Sequence, residues 1–149
     1  MEYLDLEFGV ANEDDLAEIV KIEQQSYPFP WSVDAFRNEF LKPFSHVRVF
    51  RDDSSRVFAY VVYWMLFDEC HILNVTVAPA LRGQSWGKHL VHCVLAQARL
   101  IQAKRAFLEV RVDNAAAIGL YQKLGFFIDH EKANFYDDGT SAYFMIIYF

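Results

Sequence analysis

The segment that most limits how this chain can fold lies at its middle. Cys70 to Val77 reads as an apolar strand, ending in Asn74-Val75-Thr76-Val77 and stopped by Pro79. The loop Arg82-Gly83-Gln84-Ser85-Trp86-Gly87 follows and opens into a long helix. Leu90, Val91, Val94, Leu95, Ala98 and Ile101 recur at the spacing of a helix with one buried stripe. A helix entered this way has first-turn N–H groups without intrahelical partners, and its dipole adds positive potential there. Gly83 and Gly87 allow close backbone approach, and Arg82 and Lys88 add charge. The segment is therefore a candidate anion site. It also fits an ordinary strand-to-helix connection, and the loop alone does not separate the two readings.

The flanking sequence supplies strands and helices in alternation. Leu4 to Val10 predicts an edge strand, and Asn12 a helix N-cap with Asp14 and Asp15 in the first turn. Leu16, Ile19, Val20 and Glu23 form one stripe on that helix, which ends near Tyr27 before Pro28 and Pro30. Ser32 caps a short second helix with Phe36 and Phe40 on one face. His46 to Arg51 and Arg56 to Phe67 read as strands around a polar turn. A second turn at Asp68 and Glu69 leads to the strand that ends at Val77. Beyond the long helix, Phe107 to Val112 is a strand. Asn114 caps a helix carrying Ala117, Leu120, Tyr121 and Leu124, which Gly125 ends. Phe126 to Asp129 and Ala142 to Phe149 are the last strands. The order β-α-α-β-β-β-α-β-α-β-β predicts an α/β (α+β) fold: one domain over residues 1–149, with a mixed, roughly seven-stranded sheet and about four helices.

Composition narrows the function classes. With 54% hydrophobic and 17% aromatic residues, the 149-residue chain can bury a full core without disulfides or metals. The longest uncharged apolar stretch, Val57 to Phe67, has eleven residues, whereas a membrane span needs roughly 20. Glu2, Asp5 and Glu7 near the start do not resemble a secretory signal. Two cysteines, Cys70 and Cys93, make no disulfide framework, so a cytoplasmic setting is expected. A net charge of -6 argues against nucleic acid, which is bound through clustered Lys and Arg. It suits a basic substrate, as it suits any acidic surface. His89, His92 and Cys93 lie close along one helix, but nothing nearby completes a ligand shell, so no metal is expected.

Several motifs in order carry a resemblance. Arg82 to Gly87 resembles the Arg/Gln-x-x-Gly-x-Gly/Ala loop of the GNAT superfamily of N-acetyltransferases. Leu108-Glu109-Val110-Arg111, Asn114-Ala115-Ala116-Ala117-Ile118 and Leu120 to Phe126 resemble its RimI-type ribosomal-protein alanine N-acetyltransferases. Pro28-Phe29-Pro30-Trp31-Ser32 and Asn134-Phe135-Tyr136 match the same subgroup. One position departs from the pattern: Ser85 stands where the loop has its first glycine. If that position needs positive φ, serine costs about 1 kcal/mol or somewhat more, although its hydroxyl could bond phosphate.

The resemblance implies a GNAT fold and acetyl-coenzyme A as co-substrate. It implies cofactor contacts at Val75, Thr76, Val77, Arg82, Gly83, Gln84, Ser85, Trp86, Gly87, Lys88 and Asn114. Acetyl transfer to an amine needs a proton acceptor, stabilisation of a developing oxyanion and a proton for the departing thiolate. By pattern, Glu109 is a charged residue within an apolar strand and could face solvent; the resemblance makes it the general base, working through water. By pattern, Tyr121 is a core aromatic; the resemblance makes it the acid. Val75 to Val77 would pair with the pantetheine amides like an added strand. Phe29, Trp31 and Tyr136 could be core or rim aromatics and, by resemblance, line a peptide groove.

The implied activity is acetylation of a protein's N-terminal amine, that of an alanine-first small-subunit ribosomal protein, with neither nucleic acid nor membrane as partner. Two other readings stand beside it: a GNAT enzyme acting on lysine side chains or small amines, and a non-catalytic acyl-coenzyme A-binding module. Retention of both Glu109 and Tyr121 weighs against the last.

Overall fold

Asn12 opens the first helical segment, its Oδ1 accepting from Asp14 N–H while the Asp15 carboxylate accepts from Asn12 N–H, both at 2.9 Å. In the computed structural model, which describes residues 7–149, one 3-10 turn, Glu13–Asp15, precedes α1 (Leu16–Ser26). Leu16, Ile19, Val20, Ile22 and Glu23 of α1 are buried. After the two prolines, Ser32 caps α2 (Val33–Phe40) by accepting from Ala35 N–H at 3.1 Å, and Phe36 is fully buried. The strand expected over Leu4 to Val10 is β1, Gly9–Val10, among the described residues; Leu4 to Leu6 lie outside them.

Seven strands form one sheet. After β1 come β2 (Ser45–Arg51), β3 (Val57–Leu66), β4 (Glu69–Val77), β5 (Arg105–Arg111), β6 (Phe127–Lys132) and β7 (Ala142–Tyr148). Their spatial order is β1-β2-β3-β4-β5-β7-β6. Every neighbouring pair is antiparallel except β4 and β5. That parallel pair needs a crossover, and α3 (Trp86–Leu100) supplies it. The last helix, α4 (Ala115–Lys123), joins β5 to β6.

The sheet is covered on both faces. On one, Leu90, Val91, Val94, Leu95 and Ala98 of α3 pack with Tyr121 and with Cys70, Ile72, Leu108, Val110 and Met145 of the sheet. On the other, Leu16, Ile19, Val20, Ile22 and Phe36 pack with Val47, Val49, Tyr60 and Val62. Truncating a fully buried residue such as Leu90 to alanine would cost about 2–5 kcal/mol. Several details differ from the expected elements, β5 beginning at Arg105 rather than Phe107 among them. Ile101 falls past the end of α3 and is 54% exposed, so it is not part of the buried stripe. Glu69 pairs with Leu66 inside the ladder, so the tight turn is Phe67 and Asp68. The sixth strand continues to Lys132, because pairing with β7 persists there.

Candidate active site

The parallel pairing of β4 with β5 runs from Glu69↔Arg105 to Ile72↔Leu108 and then stops, although β4 continues to Val77 and β5 to Arg111. A bulge lies at the same level. Ile72 faces Tyr63 and Asn74 faces Val62 across the β3–β4 ladder, so Leu73 is an extra residue. The inserted residue bends and twists its strand. Ile72 packs in the core under α3, Leu73 against the core under α1, and Val75 and Val77 under α3 again. The sheet is thus open along Leu73 to Val77. A strand edge inside an opening suits an extended ligand bearing amides.

The loop after β4 turns through two left-handed positions. A 3-10 turn, Pro79–Leu81, leads to Gly83 at φ 79 and Ser85 at φ 67 and ψ 16, both left-handed. Arg82 folds back, donating from Nε to Val77 O at 3.1 Å and from Nη2 to Ser26 Oγ at 2.7 Å, which ties the loop to β4 and α1. Gln84, Ser85 and Lys88 are exposed. Trp86 is not: its indole packs between Phe58 (centroids 5.1 Å apart) and Phe50 (6.1 Å). Its ring is a core element that anchors the start of α3, and its backbone is what the loop presents. A Cβ at Gly87 would come within 3.3 Å of Leu120 Cδ1 on α4, so the glycine permits close packing of α3 on α4.

Glu109 sits one residue beyond the last position of β5 that pairs with β4. Ala106, Leu108 and Val110 face the α3 core, which turns Glu109 to the other side of the sheet. Its carboxylate is only 13% exposed and does not extend into solvent. Oε2 lies 2.8 Å from His71 Nε2 on β4, and Oε1 accepts from Lys132 Nζ on β6 at 3.0 Å. Burial pushes the carboxyl pKa up, but the bonds to His71 and Lys132 outweigh it and hold the group below its ordinary range. Glu109 is therefore ionised at neutral pH.

Tyr121 is buried on α4, its ring edge-on to Phe126 with centroids 5.8 Å apart. Burial drives its pKa strongly upward, and Tyr27 and Tyr136 add to the shift. Burial likewise pushes Tyr136 up to about 12, with Glu109 and Tyr27 contributing in the same direction. Tyr27, Glu109, Tyr121 and Tyr136 thus lie within electrostatic range around one opening. Arg111 holds the β6–β7 connection over it: Nη2 donates to Asp138 Oδ2 at 2.6 Å and Thr140 Oγ1 at 2.8 Å, and the guanidinium lies 4.9 Å from the Tyr136 ring centre. Asn114 caps α4, its Oδ1 accepting from Ala117 N–H at 3.1 Å. Phe29 is 65% exposed, whereas Trp31 is half-buried against Phe36.

Thr76 points away from the α3 side, into a buried polar network absent from the sequence reading. Glu23, 1% exposed, accepts from Tyr60 Oη at 2.7 Å, Asn74 Nδ2 at 2.9 Å and Trp31 N–H at 3.1 Å. Thr76 Oγ1 donates to Asn74 Oδ1 at 2.7 Å and lies 2.8 Å from Tyr27 Oη. The network joins the α1–α2 connection to the opened edge of β4. Its one sequence signal is a glutamate on an apolar helical stripe. His71 carries no comparable signal. Among the described residues no three His, Cys, Asp or Glu side chains converge as metal ligands, and no helix is long and apolar enough to cross a membrane.

Comparison with known proteins agrees with this geometry. The sequence profile of the acetyltransferase (GNAT) family matches residues 16–126. A Bacillus subtilis protein provisionally named a ribosomal protein bS18-alanine N-acetyltransferase is 34% identical over 134 residues, covering 89% of this chain and 88% of its own length. The ribosomal protein bS18-alanine N-acetyltransferase of Salmonella typhimurium is 30% identical over 122 residues, with 82% and 81% covered. The crystal structure of the Escherichia coli ribosomal-protein-S18-alanine N-acetyltransferase superposes with a TM-score of 0.86 at 27% identity, covering 94% of this chain and 91% of that one.

Proposed function

Because this chain belongs to the acetyltransferase (GNAT) family, we propose that it acetylates the N-terminal α-amine of an alanine-first ribosomal protein, with acetyl-coenzyme A as donor. The observation that carries the reading is the opening between β4 and β5, with ionised Glu109 just past the last paired residue, Leu108. The named relatives supply the substrate class, a ribosomal protein with an N-terminal alanine.

Acetyl-coenzyme A supplies the activated acetyl group as a thioester. In our reading its phosphates lie on the backbone from Arg82 through Gly83, Gln84, Ser85, Trp86 and Gly87 to Lys88, at the start of α3. The left-handed backbone at Gly83 and Ser85 fits such a cradle. Val75, Thr76 and Val77 offer main-chain groups to the pantetheine amides, and Asn114 contacts the cofactor from the start of α4. A main-chain N–H of β4 would polarise the thioester carbonyl.

The proton steps follow from charge. Glu109 is held below its ordinary range, so it is a poor final home for a proton from an amine. It acts instead by orienting a water through which the amine's proton passes on to bulk solvent as the amine attacks. Tyr121 keeps its proton across the physiological range and donates it to the leaving thiolate. Phe29, Trp31 and Tyr136 border the entry of the peptide. The two cysteines are unpaired thiols, in keeping with the cytoplasm, where ribosomal proteins are made.

The test is direct. Purified protein is incubated with acetyl-coenzyme A and one of three acceptors: an alanine-first peptide, an N-terminally blocked peptide with an internal lysine, or spermidine. Thiol release and gain of an acetyl group with the first acceptor alone is the expected result. Acetylation of the lysine peptide or spermidine alone would transfer the assignment to side-chain or small-amine chemistry. Cofactor-dependent thermal stabilisation without thiol release would mark a binding module.

A further inference from the structure

We propose that His71 is a positioning residue for acetyl transfer: its Nε2–H holds the carboxylate of Glu109 in the orientation from which it acts. The inference rests on the reading of Glu109 as the general base. Three strands of the sheet bring the parts together: His71 from β4, Glu109 from the adjacent β5, and Lys132 from β6, which lies beyond β7. Because Glu109 is ionised, its oxygens only accept, so the His71 nitrogen 2.8 Å from Oε2 carries the hydrogen.

The two donors to Glu109 differ in kind. Lys132 reaches Oε1 with a flexible stem, 35% exposed. His71 is fixed. Its ring stacks on Phe107 at 4.4 Å between centroids, and Phe107 stacks on Phe144 at 5.2 Å. Trp64 meets the His71 ring nearly at right angles, 5.8 Å away. An imidazole clamped in this way cannot follow the carboxylate, so the carboxylate must take its orientation from the imidazole. The parallel register puts Phe107 opposite His71, and Glu109 two residues further along, toward the opening. His71 therefore lies behind Glu109 rather than in the opening. It orients Glu109 and receives no proton in the reaction. A side chain fixed before the reaction avoids the ordering cost of a free one, and small displacements of a catalytic group cost rate steeply.

The experiment compares three substitutions. His71→Phe keeps a stacking ring and loses the donor. His71→Asn keeps an amide too short to reach Glu109. His71→Gln places an amide nitrogen where Nε2 lies. Steady-state kinetics with an alanine-first peptide should show kcat lowered roughly 10- to 100-fold in His71→Phe and His71→Asn, as expected for loss of one charge-assisted hydrogen bond. KM for acetyl-coenzyme A should be unchanged, and His71→Gln should recover most of the turnover. Adding His71→Phe to Glu109→Gln should lower kcat no further than Glu109→Gln alone, because both act through one group. Circular dichroism melting checks that each variant is folded; should His71→Phe fail to fold, the contrast between Asn and Gln decides. Full turnover in His71→Asn while Glu109→Gln is impaired would overturn the inference and leave the role of Glu109 intact. Equal impairment of Asn and Gln would also overturn it, by assigning His71 to packing alone. Full turnover in Glu109→Gln would instead remove the reading on which the inference rests.

Discussion

Asn74 Nδ2 donates to Glu23 Oε1 at 2.9 Å, bonding the opened strand β4 to α1 inside the protein. Tyr60 Oη and Trp31 N–H donate to the same carboxylate. Replacing Glu23 with alanine leaves three donors without this acceptor and opens a cavity beside them. Leaving a buried polar group unpaired costs about 1–3 kcal/mol. A loss of roughly 3–5 kcal/mol in urea unfolding is expected from the unpaired donors and the cavity together. Because Trp31 N–H is one of the donors, the peptide KM should rise more than that for acetyl-coenzyme A. A loss below about 1 kcal/mol would mean that water replaces the carboxylate without cost.

Ser85 occupies a left-handed backbone, φ 67 and ψ 16, at the start of α3. A side chain there costs about 1–2 kcal/mol that glycine does not, although glycine is also freer when unfolded. Ser85→Gly should therefore leave the melting temperature unchanged or slightly higher, with acetyl-coenzyme A bound equally or more tightly by calorimetry. A large loss of affinity would identify the hydroxyl as a phosphate ligand and reverse this account of the substitution.

Gly87 gives the opposite prediction. A Cβ there meets Leu120 Cδ1 at 3.3 Å and Val77 Cγ2 at 3.8 Å. Branched atoms beyond it, as in Gly87→Val, would press α4 away from α3 and disturb the helix that carries Tyr121. Acetyl-coenzyme A affinity should fall about ten-fold or more, the equivalent of about 1.4 kcal/mol, in a variant that still folds. Unchanged affinity would remove this turn from the cofactor site.

Much of this arrangement is legible in the sequence because it is local. Asn12, Ser32 and Asn114 cap the helices they were expected to cap, since capping depends on residues within one turn. The left-handed strain at Ser85 is foreseeable because the family loop has glycine there. What is not legible depends on register. His71 reaches Glu109 only because β4 and β5 pair in parallel with Phe107 opposite His71. The polar network of Glu23 depends on the extra residue Leu73, after which Asn74 and Thr76 face α1. Neither the parallel offset nor the bulge leaves a periodic trace in one strand. Trp86 is the converse case: the resemblance gives it as a cofactor contact, yet its large apolar ring is drawn between Phe50 and Phe58.

Asp15 offers a pH test of the fold. Its pair with Arg51, at 2.7 and 2.9 Å, holds the carboxyl pKa below the ordinary value of 3.8 despite burial. A carboxylate with a depressed folded-state pKa stabilises the protein above its unfolded pKa. That contribution is lost as pH falls through the folded value. Asp15→Asn should therefore melt at lower temperature than the parent near neutral pH, and the difference should shrink below about pH 4. A difference independent of pH would assign the effect to packing rather than charge.

Glu109 and Tyr121 divide the proton work in our reading, and their environments separate their pH signatures. The substrate amine attacks only when neutral, and an N-terminal amine has a pKa near ~7.7–8.0. Glu109 stays ionised well below that, because His71 and Lys132 outweigh its burial. The acid limb of the parent enzyme therefore follows the amine, with Glu109 assisting its deprotonation. Glu109→Gln should lose most below about pH 8, and the deficit should narrow as pH rises and the amine becomes neutral unaided. Tyr121 behaves differently. Burial raises its pKa strongly, so the phenol is protonated at every pH at which the enzyme is folded and assayed. Tyr121→Phe should lower turnover by a nearly constant factor across that range, on the order of 10²–10⁴ as for other general acids. Affinity for acetyl-coenzyme A should change little in either variant. The measurement is a pH–rate profile of parent and variants with an alanine-first peptide, beside a cofactor titration. Parallel profiles for Glu109→Gln and the parent would mean that the amine loses its proton before it reaches the site. Near-parental turnover in Tyr121→Phe would mean that the thiolate leaves unprotonated or takes its proton from water, with Tyr121 serving only as a core residue of α4.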